Sequence, residues 1–180
     1  MSIFSKVVTL DGEAASGKSS VGTRLSQQLG YSFFDSGSIY RSLSWYLLDR
    51  QVEIKPRDVF LALQGFQPSV SSEGAVTVNG TAVNGYLQSN AVNQLTPIIA
   101  SGFFVRKRIR EIQRQFCVDW EGKAVVTGRD VGRDVFPEST MKFYLHATSE
   151  VRAMRRYLQK IENGELASYE EILADIRGRD

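Results

Sequence analysis

Three features of the chain predict an α/β fold: a doubly wound parallel sheet with helices on both faces, plus a small antiparallel β insert. Residues 12–19 read Gly-Glu-Ala-Ala-Ser-Gly-Lys-Ser, matching G-x-x-x-x-G-K-[ST], between a β-rich run and a helical repeat. Further short β-rich runs alternate with stretches of helical apolar spacing, which implies parallel strands joined by crossover helices. Asn79-Gly80, flanked by Val76-Thr-Val78 and Thr81-Ala-Val83, has the turn chemistry of a two-residue hairpin.

The first strand is expected at Lys6-Val-Val-Thr-Leu10. The helix after the Gly-rich loop places Val21, Leu25 and Leu29 at inward spacing. Tyr31-Ser-Phe-Phe34 is a short aromatic strand, and Asp35-Ser36-Gly37 turns it into a helix with Ile39, Leu43, Tyr46 and Leu47 on one side. Lys55-Pro56 opens another helix through Phe60 and Leu63, since proline suits a first helical position. Residues 65–84 change texture into hairpins, a subdomain set on the parallel core.

Residues 86–117 return to helix, with an apolar stripe at Val105, Ile109, Ile112 and Phe116. Arg106, Arg110 and Arg114 recur on another face, most simply a solvated one for Arg110 and Arg114. Strands follow at residues 123–126, ending in Thr127-Gly128-Arg129-Asp130, and at 141–145. A helix from about Ser149 points Val151, Met154, Leu158 and Ile161 inward, with Arg152, Arg155 and Arg156 elsewhere. Asn163-Gly164 stops it, and Ser168-x-x-Glu171 is a capping box for the last helix.

The 180 residues suit one domain with a substantial core. Hydrophobic residues at 42% and charged residues at 23% exclude a disordered chain, and a net charge of +2 gives no reason to expect a nucleic-acid partner. A lone cysteine, Cys117, forms no internal disulfide and reads as a small buried apolar residue. No stretch approaches the roughly 18 apolar residues of a membrane span, so a cytoplasmic protein without a membrane partner is expected.

The loop chemistry is specific. A strand feeding a Gly-rich turn and then a helix points successive backbone N–H groups at an anion, reinforced by the helix N-terminus. Lys18 is placed for the β- and γ-phosphates of a nucleoside triphosphate, and the Ser19 hydroxyl for Mg²⁺. Ligands in such sheets sit beyond the carboxyl ends of the strands. The turns at residues 12–19, 35–41 and 128–130 all fall on that edge, bringing Lys18, Arg41, Arg129, Asp35 and Asp130 around one crevice. Arginine forks meet phosphate oxygens bidentately, and more arginines than one triphosphate needs suggest a second phosphorylated substrate. Simpler roles exist for the parts: Asp35 as a helix cap, Arg155 or Arg156 as surface residues, His146 as structural or exposed.

Taken together these segments resemble the bacterial cytidylate kinases, from about Val7 to Asp180. The likeness rests on the loop, Asp35-Ser-Gly-Ser-Ile-Tyr-Arg41, Val78-Asn-Gly80, Val105-Arg106 with Gln113-Arg114, Gly128-Arg-Asp-Val-Gly132 with Val135-Phe-Pro137, and Arg152-Ala-x-Arg-Arg156. It implies the nucleoside monophosphate kinase type of P-loop fold and transfer of the ATP γ-phosphoryl to CMP or dCMP. On this resemblance Gly12, Glu13, Ala14, Ala15, Ser16, Gly17, Lys18, Ser19 and Ser20 hold ATP with Mg²⁺ on Ser19. Ser36 contacts the acceptor nucleotide, while Arg41 and Arg129 grip its α-phosphate. Arg106 and Asp130 read the cytosine edge, and Arg152, Arg156 and Arg179 close over the triphosphate. Lys18, Arg129, Asp130, Arg152 and Arg156 form the catalytic set. The resemblance also implies an acceptor-binding insert at about 65–86, a lid at about 152–170, and a cytoplasmic monomer.

Four departures stand against this pattern. Pro97 occupies the place of a base-contacting serine, leaving Thr96 to substitute; Leu87-Gln88 replaces Ile-Arg; Thr127 replaces an aspartate. The fourth is that the resemblance implies further acceptor contacts, a strand and a helix after Arg179-Asp180, so a C-terminally short, four-stranded sheet with an unpaired edge is expected. Two competing readings are a nucleotide-binding but catalytically weak chain acting by interaction, and a P-loop small-molecule kinase with another acceptor.

Overall fold

The computed structural model describes residues 2–162 and 164–179. Four parallel strands form the main sheet in the order β2-β6-β1-β7: β1 is Val8–Gly12, β2 Ser32–Asp35, β6 Ala124–Gly128 and β7 Met141–Leu145. The centre is read directly from side-chain type. β6 is Ala-Val-Val-Thr-Gly, buried at every position, as a parallel strand covered on both faces must be. β1 begins two residues later than the sequence suggests, and its register aligns Asp11 with Gly128 and Gly12 with Leu145.

Alternation along the strands divides two cores. Phe34 and Val126 face the larger one, with Ile39, Leu43 and Leu47 of α2 (Ser36–Asp49) and Ile109 of α5 (Phe103–Asp119). Phe34 lies against Phe116 edge-on at 5.9 Å and near Trp120. Phe33 and Val125 face the other way, joining Val8 and Leu10 beneath α1 (Lys18–Leu29). On that second face only Leu25 of the expected stripe packs against the core. Val21 and Leu29 are exposed, while Gly22 and Ser26 are buried. α1 approaches so closely that a Cβ at Gly22 would come within 2.7 Å of both Phe33 and Thr127.

The insert is a three-stranded antiparallel sheet, β3 (Pro68–Val70), β4 (Val76–Val78) and β5 (Thr81–Ala82). Asn79 and Gly80 take positive φ values of 50° and 83°, as a two-residue hairpin of this type requires. Asn79 donates to Gly65 O and accepts from Gln67 N, pinning the hairpin to the end of α3 (Pro56–Gln64). The helical stretch after it is two helices, α4 (Asn90–Ala100) and α5, because the chain breaks at Ser101-Gly102. The last helices, α6 (Ser149–Glu162) and α7 (Tyr169–Arg179), pack on each other, with Tyr157 edge-on to Tyr169. Their pattern also inverts expectation: Val151, Met154, Leu158 and Ile161 are exposed, and Arg152 and Ala153 are buried. The expected stop at Asn163 lies outside the described residues, whereas Gly164 beside it has a positive φ of 75°.

Candidate active site

The phosphate loop is shaped by the exit from β1. Gly12 has φ 148°, and a Cβ there would stand 2.1 Å from Leu145 O. Only glycine lets the strand leave this close to the end of β7. The loop then turns through Ala15 (φ 61°) and Gly17 (φ 102°), the cap of α1. Lys18 folds back to donate to Glu13 O at 2.6 Å. Ser16 Oγ is buried and finds no partner among the described residues. An inward hydroxyl and a lysine over a ring of backbone is a cradle suited to phosphate oxygens. Ser19 is exposed at the start of α1. Among the described residues no cluster of three His, Cys, Asp or Glu suits a metal ion.

Electrostatics show that the neighbouring strand ends face this loop. Burial pushes the Lys18 ammonium below the ordinary lysine range; Asp35 opposes that, Arg129 adds to it, and Glu13 and Asp11 oppose it. Lys18 therefore feels groups from the ends of β2 and β6 at once. Packing agrees: a Cβ on Gly128 would meet Val131 at 2.2 Å and Ser36 at 3.3 Å.

At the β2 end, Asp35 caps α2 by accepting from Gly37 N at 3.0 Å and holds Arg41 at 2.8 Å. The simple capping role is real, and the same carboxylate also aims a guanidinium. Arg41 Nε is buried with no partner among the described residues. Ser36 Oγ accepts from Gln113 Nε2 at 2.9 Å, so its own proton is left to donate. Gln113 is a buried second-layer residue that the sequence pattern did not single out as functional.

At the β6 end, Arg129 and Asp130 are exposed and precede a single π turn, Val131–Val135. Asp11, on β1, accepts from Val131 N at 2.7 Å and Gly132 N at 2.8 Å. A Cβ on Gly132 would press within 2.7 Å of Thr9 Oγ1 and 3.2 Å of Asp11. Asp11 thus fixes the turn that presents Arg129 and Asp130. Its signal in the sequence is a carboxylate at the end of the strand entering the phosphate loop.

Arg106 and Asp130 both act on the Tyr40 hydroxyl. Burial raises the Tyr40 hydroxyl above its usual range; Arg106 and Arg110 pull it down, and Asp134 and Asp130 push it up. Arg106 bonds instead to Asp134 at 3.0 Å, and Asp130 lies 3.3 Å from Arg133.

Two expectations need correction. Arg114 is no solvated residue: it lies 3.9 Å over the Phe4 ring, donates to Val135 O at 2.6 Å and pairs with Glu138. Thr96 is tied to Val92 O and Ser44 Oγ within the α2–α4 contact, so its hydroxyl does not replace the missing serine. Arg155 is exposed, as its reading as a surface residue has it, and also donates to Ser16 O of the loop at 2.8 Å. Arg152 is buried, donates from Nε to Ala147 O, and its charge helps hold Glu13. Burial works to raise the Glu13 carboxyl, but the bond and charge of His146, with Arg152, leave it below its usual value. Arg156 is exposed, and the Arg179 side chain lies outside the described residues. Thr127, where the pattern has an aspartate, is buried with an unpartnered hydroxyl among the described residues. A separate groove of about 480 Å³ beside β3 and α5, lined by Phe66, Val70, Phe116 and Trp120, involves none of the sequence-predicted site residues.

Comparison with known proteins completes the description. A family model described as Cytidylate kinase matches residues 8–180. A cytidylate kinase of Oleidesulfovibrio alaskensis is 34% identical over 177 residues, 97% of this chain and 80% of that protein. One from Roseiflexus castenholzii is 35% identical over 183 residues, 97% of this chain and 78% of that protein. Among solved structures, TT1252 from Thermus thermophilus aligns with a TM-score of 0.52 at 17% identity, covering 96% of this chain and 78% of that one, a likeness of fold.

Proposed function

The chain belongs to the cytidylate kinase family, and on that premise we propose how its residues divide the work. The enzyme catalyses ATP-dependent phosphorylation of CMP, giving ADP and CDP; we infer that dCMP is accepted as well. The observation that best supports a single reaction crevice is the parallel register, which sets Asp35 beside Thr127 and Gly128 beside Asp11, at the end of the strand that enters the loop.

On the donor side, residues 12–20 wrap the ATP phosphates. Lys18 exchanges Glu13 O for the γ-phosphoryl oxygens and follows their charge into the transition state. Ser16 supplies its unpaired hydroxyl, and Arg155 steadies the loop backbone from α6. Ser19 is the residue that would hold Mg²⁺, which would supply positive charge against that of the phosphates. Arg152, Arg156 and Arg179 contribute positive charge over the triphosphate, and residues 152–170 act as the lid.

On the acceptor side, Arg41 and Arg129 grip the CMP phosphate in line with the donor. Ser36 donates to the nucleotide while Gln113 fixes its oxygen. Arg106 offers donors to cytosine O2 and N3, and Asp130 accepts from its amino group. Uracil has no such donor and leaves the carboxylate unpaired in the closed site. The insert at 65–86 covers the acceptor and excludes water that would hydrolyse ATP. Nucleotides are the partners in this reading, and a cytoplasmic monomer its setting.

An ADP-release assay with CMP, dCMP, UMP and AMP tests this. CMP and dCMP should turn over, with UMP and AMP slower by at least about 100-fold. ATP binding without turnover of any acceptor overturns the catalytic reading; equal rates with UMP overturn the role of Asp130. Lys18→Ala should lower kcat by about 100- to 1000-fold in the same assay.

A further inference from the structure

Arg106 is held before any nucleotide arrives. Its NH2 lies 3.0 Å from Asp134 Oδ2, bridging α5 to the turn after β6. Asp134 is engaged from its other oxygen by Arg133 Nε at 2.8 Å, and Arg133 also lies 3.3 Å from Asp130. The charges alternate along a chain, Arg106–Asp134–Arg133–Asp130. Both carboxylates ride on one turn, since Asp134 N donates to Asp130 O at 2.8 Å. That turn is itself fixed by Asp11.

We propose that Asp134 is a positioning residue that orients Arg106 for recognition of the acceptor base. This rests on the reading that Arg106 and Asp130 face that base. A free arginine side chain samples many rotamers, and ordering it on binding weakens affinity. Asp134 does that ordering in advance and occupies one terminal nitrogen, leaving the rest of the fork for ring acceptors. Arg106 remains 44% exposed and Asp134 22%, so the fork is within reach of a ligand. The need for such a device is greater here than in the pattern the chain resembles. Pro97 stands in place of a serine, and Thr96 is committed to Val92 and Ser44. Arg106 therefore works with less help from α4.

A partly exposed ion pair of this kind adds little to stability. Its effect belongs in acceptor binding. Asp134→Asn keeps the shape and removes the charge; Asp134→Ala removes both. Steady-state kinetics with CMP and UMP, the KM for ATP and thermal melting should be compared for each variant alone and combined with Arg106→Ala. Asp134→Asn is expected to raise the KM for CMP about tenfold and to lose that effect in the Arg106→Ala background. The KM for ATP and the melting temperature should stay near those of the parent. An unchanged or lowered KM for CMP in Asp134→Asn overturns the proposal, as does an effect that adds fully to that of Arg106→Ala. Equal losses for CMP and ATP would do the same, marking a structural role. Arg106→Ala is the separate gauge. If it leaves the KM for CMP and the CMP-to-UMP ratio unchanged, the base-reading assignment itself fails, and this inference with it.

Discussion

The two edges of the main sheet are finished in opposite ways. At β2, Phe33 N donates to Ser72 O of the insert, Gly74 packs on the Phe33 ring, and the strand lies over the larger core. At β7, Met141, Phe143 and Tyr144 are 39%, 52% and 63% exposed, and the core beneath α1 is built on Val8, Leu10, Phe33 and Val125. The closed edge leads into Asp35, Ser36 and Arg41; the open one leads to His146 and Arg152 beside the phosphate loop. The groups proposed to hold the acceptor thus stand on densely packed ground, and those proposed to hold the donor on thinly packed ground fixed by backbone geometry.

Removing bulk from the dense side should show the largest effect. Phe34→Ala deletes a fully buried ring between Phe116 and Trp120, and a stability loss of about 3–5 kcal/mol is expected in denaturant titration. A loss below about 1 kcal/mol would break the contrast. On the thin side the sensitive element is backbone. Gly12→Ala meets both a positive φ and the Leu145 carbonyl, so a loss of about 1–3 kcal/mol is expected, with the KM for ATP rising more than that for CMP. A larger rise for CMP would place the loop's geometry in the wrong half of the site. The smallest effect is expected at the open edge. Phe143→Ser should change stability by less than about 0.5 kcal/mol in denaturant titration. A large destabilisation there would mean that the edge is packed against something.

The same contrast explains what was legible in the sequence. The phosphate loop, the parallel strands and the Asn79-Gly80 hairpin each depend on local chemistry, so residue type was enough. The dense core was legible too, because Ile39, Leu43, Leu47 and Ile109 are large and apolar at helical spacing. The thin side was not. Hydropathy pointed to Val21, Leu25 and Leu29, but only Leu25 packs on this core, and the residues of α1 that are buried are Gly22 and Ser26, whose smallness matters more than their polarity. In α6 the apolar stripe is exposed, and buried Arg152 reaches a loop carbonyl that periodicity does not encode. Within the site, the clustered arginines were visible in the sequence, but their partners were not. Arg106 pairs with Asp134, 28 residues away, and Arg114 rests on Phe4, because those distances close only through the sheet.

Asp11 and Gly12 are adjacent in the chain; one anchors the exit of β6, the other opens the phosphate loop. On the proposed division of roles, the separation between the attacking oxygen and the phosphorus it attacks is set at rest by neighbouring peptides of one strand, like two jaws cut from the same bar. A lid closing above them would then have only to enclose the reactants, not to gauge the gap between them.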